Sequence, residues 1–170
     1  MIKDDILGLL VFLLINYIPI ESPFITKYYR YKAYVYLKKK VGDIVPPNWI
    51  FPIIWYIIYT LIAISIWNYW KFNSTNNGLY ISIFSLYGIN IIVNKIWTSI
   101  FFRLKNYELA MYLSFFIAGT SITILTLLGI ERQWLSFGLF VIYPIWSCYA
   151  TFLSFRFFEE YNKYKYKNIQ

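Results

Sequence analysis

Apolar positions in this chain come in long blocks, separated by short polar breaks, rather than alternating with polar ones. The blocks cover about 6–20, 46–68, 79–102, 108–129 and 134–157. Segments of about ten alternating residues, the pattern of a membrane β-barrel, do not occur in the sequence. A helix needs roughly 20 apolar residues to cross a bilayer. Four blocks therefore predict transmembrane helices, and the shorter first block predicts a fifth that can extend past Pro19. The connections between the second and fifth blocks are brief. The fold expected is one all-α integral membrane domain over 1–170, a bundle of five transmembrane helices. The first block also has the outline of a signal peptide, but no A-x-A-like site follows it and Asp4 and Asp5 weaken a positive start, so a retained helix is expected.

Charge gives the bundle a direction. Five spans put the first loop, the third loop and the C-terminus on one side, with Lys27, Arg30, Lys32, Lys38, Lys39, Lys40, Arg103, Lys105, Arg156, Lys163, Lys165 and Lys167. The other side holds Lys3, Lys71 and Arg132, and Lys95 falls inside a span. Twelve against three predicts an external N-terminus and a cytoplasmic C-terminus by the positive-inside rule. The net charge of +8 thus belongs to membrane flanks, and no nucleic-acid partner is expected. The basic, tyrosine-rich segment 21–45 is the longest connection. It reads as a loop on anionic lipid, or as a short interfacial helix or flap over the helix ends. A polar turn, 73–78, joins the second and third spans.

Composition removes several chemistries. Hydrophobic residues make up 59% and charged residues 14%, against about 25% charged in soluble domains. There is no histidine and one cysteine, Cys148, so His-ligated haem, most zinc sites, Ser-His or Cys-His catalysis and an internal disulfide are excluded. All eight acidic residues fall at or outside span ends, which argues against proton coupling through membrane carboxylates. No metal, cofactor or catalytic residue is expected.

Three spans carry aromatic stripes. In the second, Pro46 and Pro47 suit a helix start. Pro52 lies deeper, and is expected to free the carbonyl of Asn48 and loosen the first turns. Trp55 and Tyr59, four apart, share a face. Trp49, Trp67 and Trp70 near the span ends fit interface anchoring. In the third span Asn90, Asn94, Trp97 and Phe101 recur at intervals of four, three and four. Their amides must bond something, either another helix or a guest. Lys95 lies one position off this stripe and can snorkel to the surface or face a polar cavity. In the fifth span Tyr143, Trp146, Ala150 and Ser154 form a stripe beside Pro144, which breaks the helix mid-span.

These residues, in this order, resemble the TspO/MBR family of translocator proteins and tryptophan-rich sensory proteins. The matching motifs are Pro46-Pro47-Asn48-Trp49 with Trp55 and Tyr59; Asn94, Trp97 and Phe101-Phe102; and Tyr143, Trp146, Ala150 and Thr151. They span about 110 residues in three ordered groups. The family's proposed cholesterol motif is not matched, since Phe155 and Glu159 stand where its Tyr and Arg would be. The resemblance implies a membrane receptor or carrier for porphyrin-type tetrapyrroles, and for sterols or other flat lipids, with an aromatic pocket inside the cytoplasmic half of the bundle. It implies ligand contacts from Trp49, Trp55, Tyr59, Asn94, Trp97, Tyr143, Trp146 and Ala150. Trp55 and Trp146 would be ring walls, and Asn94 with the Trp97 N–H would orient the guest. Basic residues of the 27–40 stretch would meet propionates. Two other readings stay open: a light- and oxygen-dependent porphyrin-degrading enzyme working through the pigment and nearby tryptophans, and a structural membrane assembly partner. The family's homodimers make Gly88, Ala118 and Gly119 candidate contacts. The expected location is a multi-pass position in a microbial cell membrane or an organelle or host membrane.

Overall fold

A computed structural model describes residues 2–18, 23–72 and 78–167; the turn at 73–77 lies outside them. The elements are α1 (Ile2–Tyr17), α2 (Pro23–Val41), a 3₁₀ turn (Gly42–Ile44), α3 (Ile50–Phe72), α4 (Gly78–Thr98), α5 (Tyr107–Ile130), α6 (Trp134–Phe140) and α7 (Ile142–Lys167). No strand occurs among the described residues. Four helical stretches, Ile50–Phe72, Gly78–Leu104, Tyr107–Ile130 and Trp134–Lys163, are long and apolar enough to cross a membrane. They reproduce four of the five apolar blocks. The fifth, α1, has 16 residues, about 24 Å of helix, which is short of the roughly 30 Å hydrocarbon layer.

The bundle is apolar on both sides. Ile57, Ile92, Tyr112, Phe115 and Ile145 stand exposed on the outer surface, Ile58, Ile62, Ile66 and Leu128 fill the core, and Ser65, Asn68, Asn90 and Ser136 are buried among them. Ser65 Oγ donates to the Ser136 carbonyl at 2.8 Å, Ser136 Oγ to the Ser65 carbonyl at 2.9 Å, and Asn68 Nδ2 to Ser136 Oγ at 2.9 Å. Such bonds join helices where no water competes. α5 packs on α4 and α7, and α3 on α1 and α6.

Local breaks follow from local chemistry. Asn106 caps α5, its Oδ1 accepting from Leu109 N at 3.1 Å. Lys105 adopts a left-handed conformation (φ 53°) that ends the preceding helical segment. The break between α6 and α7 at Val141 lies three residues before Pro144, whose ring nitrogen cannot bond the Phe140 carbonyl. Pro52 departs from expectation. α3 starts at Ile50, so Pro52 sits in its first turn, where N–H groups have no intrahelical partner anyway. It therefore does not loosen the helix, and Pro46 and Pro47 lie ahead of it, with Ile50 N bonded to the Pro47 carbonyl at 3.0 Å.

α1 lies antiparallel to α3. At one end Asp5 pairs with Lys71 at 2.8 Å and its carbonyl accepts from Trp67 Nε1 at 3.1 Å. At the other, Tyr17 donates to the Tyr56 carbonyl at 2.7 Å. Lys95 completes this second end: its Nζ reaches the carbonyls of Ile15 and Ile18, both at 2.6 Å. Lys95 thus neither snorkels free nor faces the cavity described below. It closes the carbonyl end of α1, where a cation is favoured.

Candidate functional site

The cavity lies at the Lys95 end of the bundle. α2 covers this end as a helix, resolving the flap-or-loop alternative in favour of a flap that buries Leu37 beside Val45, Ile100 and Phe157. Beneath it is a cavity of about 240 Å³.

Four helices supply its wall. α2 contributes Ala33, Tyr34 and Leu37, and the approach to α3 contributes Asn48. Phe51, Pro52, Trp55 and Tyr59 follow at three- and four-residue steps on α3. α4 gives Asn94, Trp97 and Thr98 before it passes into a π-turn at Ser99–Leu104. A π-turn carries more residues per turn than an α-helix, and here adjacent Phe101 and Phe102 both reach the cavity. Trp97 stacks on Phe101 (centroids 4.9 Å apart, 22° between planes) and meets Phe102 edge-on at 5.8 Å. α7 adds Trp146, Ala150, Leu153 and Ser154.

Six of the eight residues singled out in the sequence meet here: Trp55, Tyr59, Asn94, Trp97, Trp146 and Ala150. Two do not. Trp49 is 64% exposed and lies outside the cavity, turned away from the side of the chain on which its neighbour Asn48 lines the wall. Tyr143 is buried one layer behind, where its hydroxyl accepts from Asn94 Nδ2 at 3.1 Å and donates to Asn90 Oδ1 at 2.5 Å. The polar relay runs from the cavity inward. Tyr59 donates to Asn94 Oδ1 at 3.1 Å, and Asn90 Nδ2 ends the chain at the Ile117 carbonyl (3.0 Å) and Thr120 Oγ1 (2.6 Å). The asparagines therefore serve interhelical bonding, and Asn94 alone of the two also fronts the cavity.

The Trp97 N–H is spent inside the bundle, donating to the Ala110 carbonyl at 2.9 Å. Trp97 offers the cavity a ring, not a donor. The buried Trp146 N–H has no acceptor among the described residues. Trp55 is braced by Tyr59 at 5.3 Å and by Tyr143, edge-on, at 6.4 Å. Of the basic 27–40 stretch, Lys38 is engaged by Asp43 (3.2 Å) and the Val45 carbonyl (3.1 Å); the side chains of Lys27, Arg30 and Lys40 lie outside the described residues. Among the small residues, Ala118 is buried within the bundle, whereas Gly88 and Gly119 have open space beyond them.

The sequence did not mark α2 as wall, because its basic, tyrosine-rich character masks the apolar face made by Ala33 and Leu37. Phe102 was present in the motif, yet only the π-turn shows how it shares a face with Trp97.

These features define a helical membrane protein with an aromatic cavity set inside one end of its bundle. The chain belongs to the TspO/MBR family, whose family model matches residues 10–159. It is 34% identical to Protein CrtK of Rhodobacter capsulatus over 111 residues, 65% of this chain and 68% of that protein. It is 29% identical to a tryptophan-rich sensory protein of Cereibacter sphaeroides over 114 residues, 65% of this chain and 66% of that one. The chain is a multi-pass integral membrane protein.

Proposed function

We propose that this chain is a membrane receptor or carrier that binds porphyrin-type tetrapyrroles, and other flat lipids, in the cavity under α2. The observation that carries this reading is the wall itself. Trp55, Trp97, Trp146, Phe51, Phe101 and Phe102 converge from three helices on one space, with Tyr59 and Asn94 as polar groups at its inner side. A flat conjugated ring is the guest such a wall suits, since offset or edge-on ring pairs add about 0.5–1.5 kcal/mol each beyond burial. At about 240 Å³ the space lies below the roughly 300–1,000 Å³ of pockets for drug-sized molecules. A tetrapyrrole therefore requires α2 or a wall ring to yield.

The orientation that accompanies this reading has five spans, the N-terminus outside and the cavity in the cytoplasmic half, with α1 crossing by local thinning of the bilayer. A homodimer through the outer face near Gly88 and Gly119 belongs to the same proposal. The test is tryptophan quenching in nanodiscs by a panel of porphyrins and sterols. Saturable quenching by porphyrins that is abolished by Ala150→Leu, in a protein that remains monodisperse, supports the reading. Quenching that is unsaturable, or that survives Ala150→Leu, overturns it.

A further inference from the structure

Trp146 belongs to two spaces at once. It lines the cavity under α2, and it also lines a second hollow of about 710 Å³ on the outer face between α3 and α7. The walls of that hollow are aliphatic, formed chiefly by Ile54 and Ile57 of α3 and Ile142 and Ile145 of α7. Its one hydroxyl, on Tyr149, is already donated to the Ile44 carbonyl at 2.7 Å. Ile57 is 46% and Ile145 66% exposed, so the hollow opens outward at the level of the spans, where a membrane-embedded bundle meets lipid. α3 and α7 touch each other little, since α3 is held by α1 and α6 and α7 by α5.

The ring that divides the two spaces packs against the bundle core on one side, but no hydrogen bond among the described residues fixes it. The Trp146 N–H has no acceptor among the described residues. Its ring neighbours are Phe51, edge-on at 6.0 Å, and Tyr149, tilted at 5.3 Å. Two residues before it, Pro144 leaves the Phe140 carbonyl without its i+4 backbone donor at the break between α6 and α7.

We infer that the hollow between α3 and α7 is a lateral doorway through which an uncharged, flat, lipid-dissolved molecule passes between the bilayer and the cavity, with Trp146 as the swinging partition. This rests on the cavity being a binding site. Such a molecule is already dissolved in the bilayer, and an aliphatic passage spares it a return to water. The alternative path at the end of the bundle is covered by Ala33, Tyr34 and Leu37 of α2.

The experiment loads proteoliposomes with protoporphyrin dimethyl ester in the bilayer and follows uptake and release by the pigment's own absorption. The full chain is compared with the double variant Ile57→Phe, Ile145→Phe, which narrows the hollow without touching the cavity. Slowing of both uptake and release by about tenfold, with the equilibrium dissociation constant unchanged, is the expected result. Trp146→Ala should speed both steps even as it weakens equilibrium binding, so the test does not depend on one variant. Wild-type rates in the double variant overturn the doorway while leaving the cavity reading intact. Absence of saturable equilibrium binding in the unsubstituted chain overturns both.

Discussion

Trp55 and Trp146 face the same cavity from different helices, each with two ring neighbours: Tyr59 and Tyr143 for Trp55, Phe51 and Tyr149 for Trp146, whose buried N–H has no acceptor among the described residues. Changing either to Ala should weaken porphyrin binding by on the order of 1–3 kcal/mol, as large aromatic burial is lost. The double change should cost less than the sum, because both rings touch one guest; titration in nanodiscs measures this. Trp49→Ala should leave affinity unchanged, since that side chain lies outside the cavity. Trp97→Phe separates ring from donor. It should lower stability by about 0.5–1.5 kcal/mol, the loss of one hydrogen bond to an Ala110 carbonyl that still accepts from Ser114 Oγ at 2.8 Å, while affinity stays close to wild type. Spacing alone revealed which faces these residues share. It could not reveal that Trp97 spends its N–H on the neighbouring helix, because that depends on how α4 and α5 are set against each other.

Among the elements, α1 and α2 carry the most information that periodicity could not supply. A four-residue stripe tells which side of a helix turns inward, but α2 has no clean stripe, so a flap over the helix ends was one alternative beside a lipid-facing loop, and Leu37 meeting the π-turn and α7 decides for it. Pro52 was misleading for a related reason: its effect depends on where α3 begins, and a shift of a few residues converts a helix breaker into a first-turn residue. Lys95 ties α4 to the carbonyl end of α1. Lys95→Met should remove about 1–3 kcal/mol of charge-assisted hydrogen bonding, seen as faster hydrogen exchange in the last turn of α1, with porphyrin affinity nearly unchanged. A tenfold loss of affinity in Lys95→Met would contradict this placement. Gly8 tests the other end. A Cβ there would stand 2.8 Å from Trp70 Cζ3, so Gly8→Val should destabilise the docking of α1 by about 1–3 kcal/mol, read from thermal unfolding in detergent.

For the molecule as a whole, the four long apolar blocks were enough to define a membrane bundle, because hydrocarbon tolerates few other backbone arrangements. Orientation rests on the twelve-to-three distribution of basic residues. In a Cys148→Ser background, an impermeant thiol reagent added from outside should label Arg132→Cys and miss Lys163→Cys. The reverse pattern would put the cavity in the outer half. The fastening of α1 bears on how such a chain is made. Its partners at both ends, Trp67, Lys71 and Lys95, belong to helices synthesised after it. During translation α1 therefore leaves the ribosome with 16 residues of marginal apolar length before any of these three partners has been made. Its docking on the bundle is complete only when α3 and then α4 arrive, so a nascent chain arrested before Lys95 should hold α1 loosely, exposed to quality-control proteases that the finished bundle escapes.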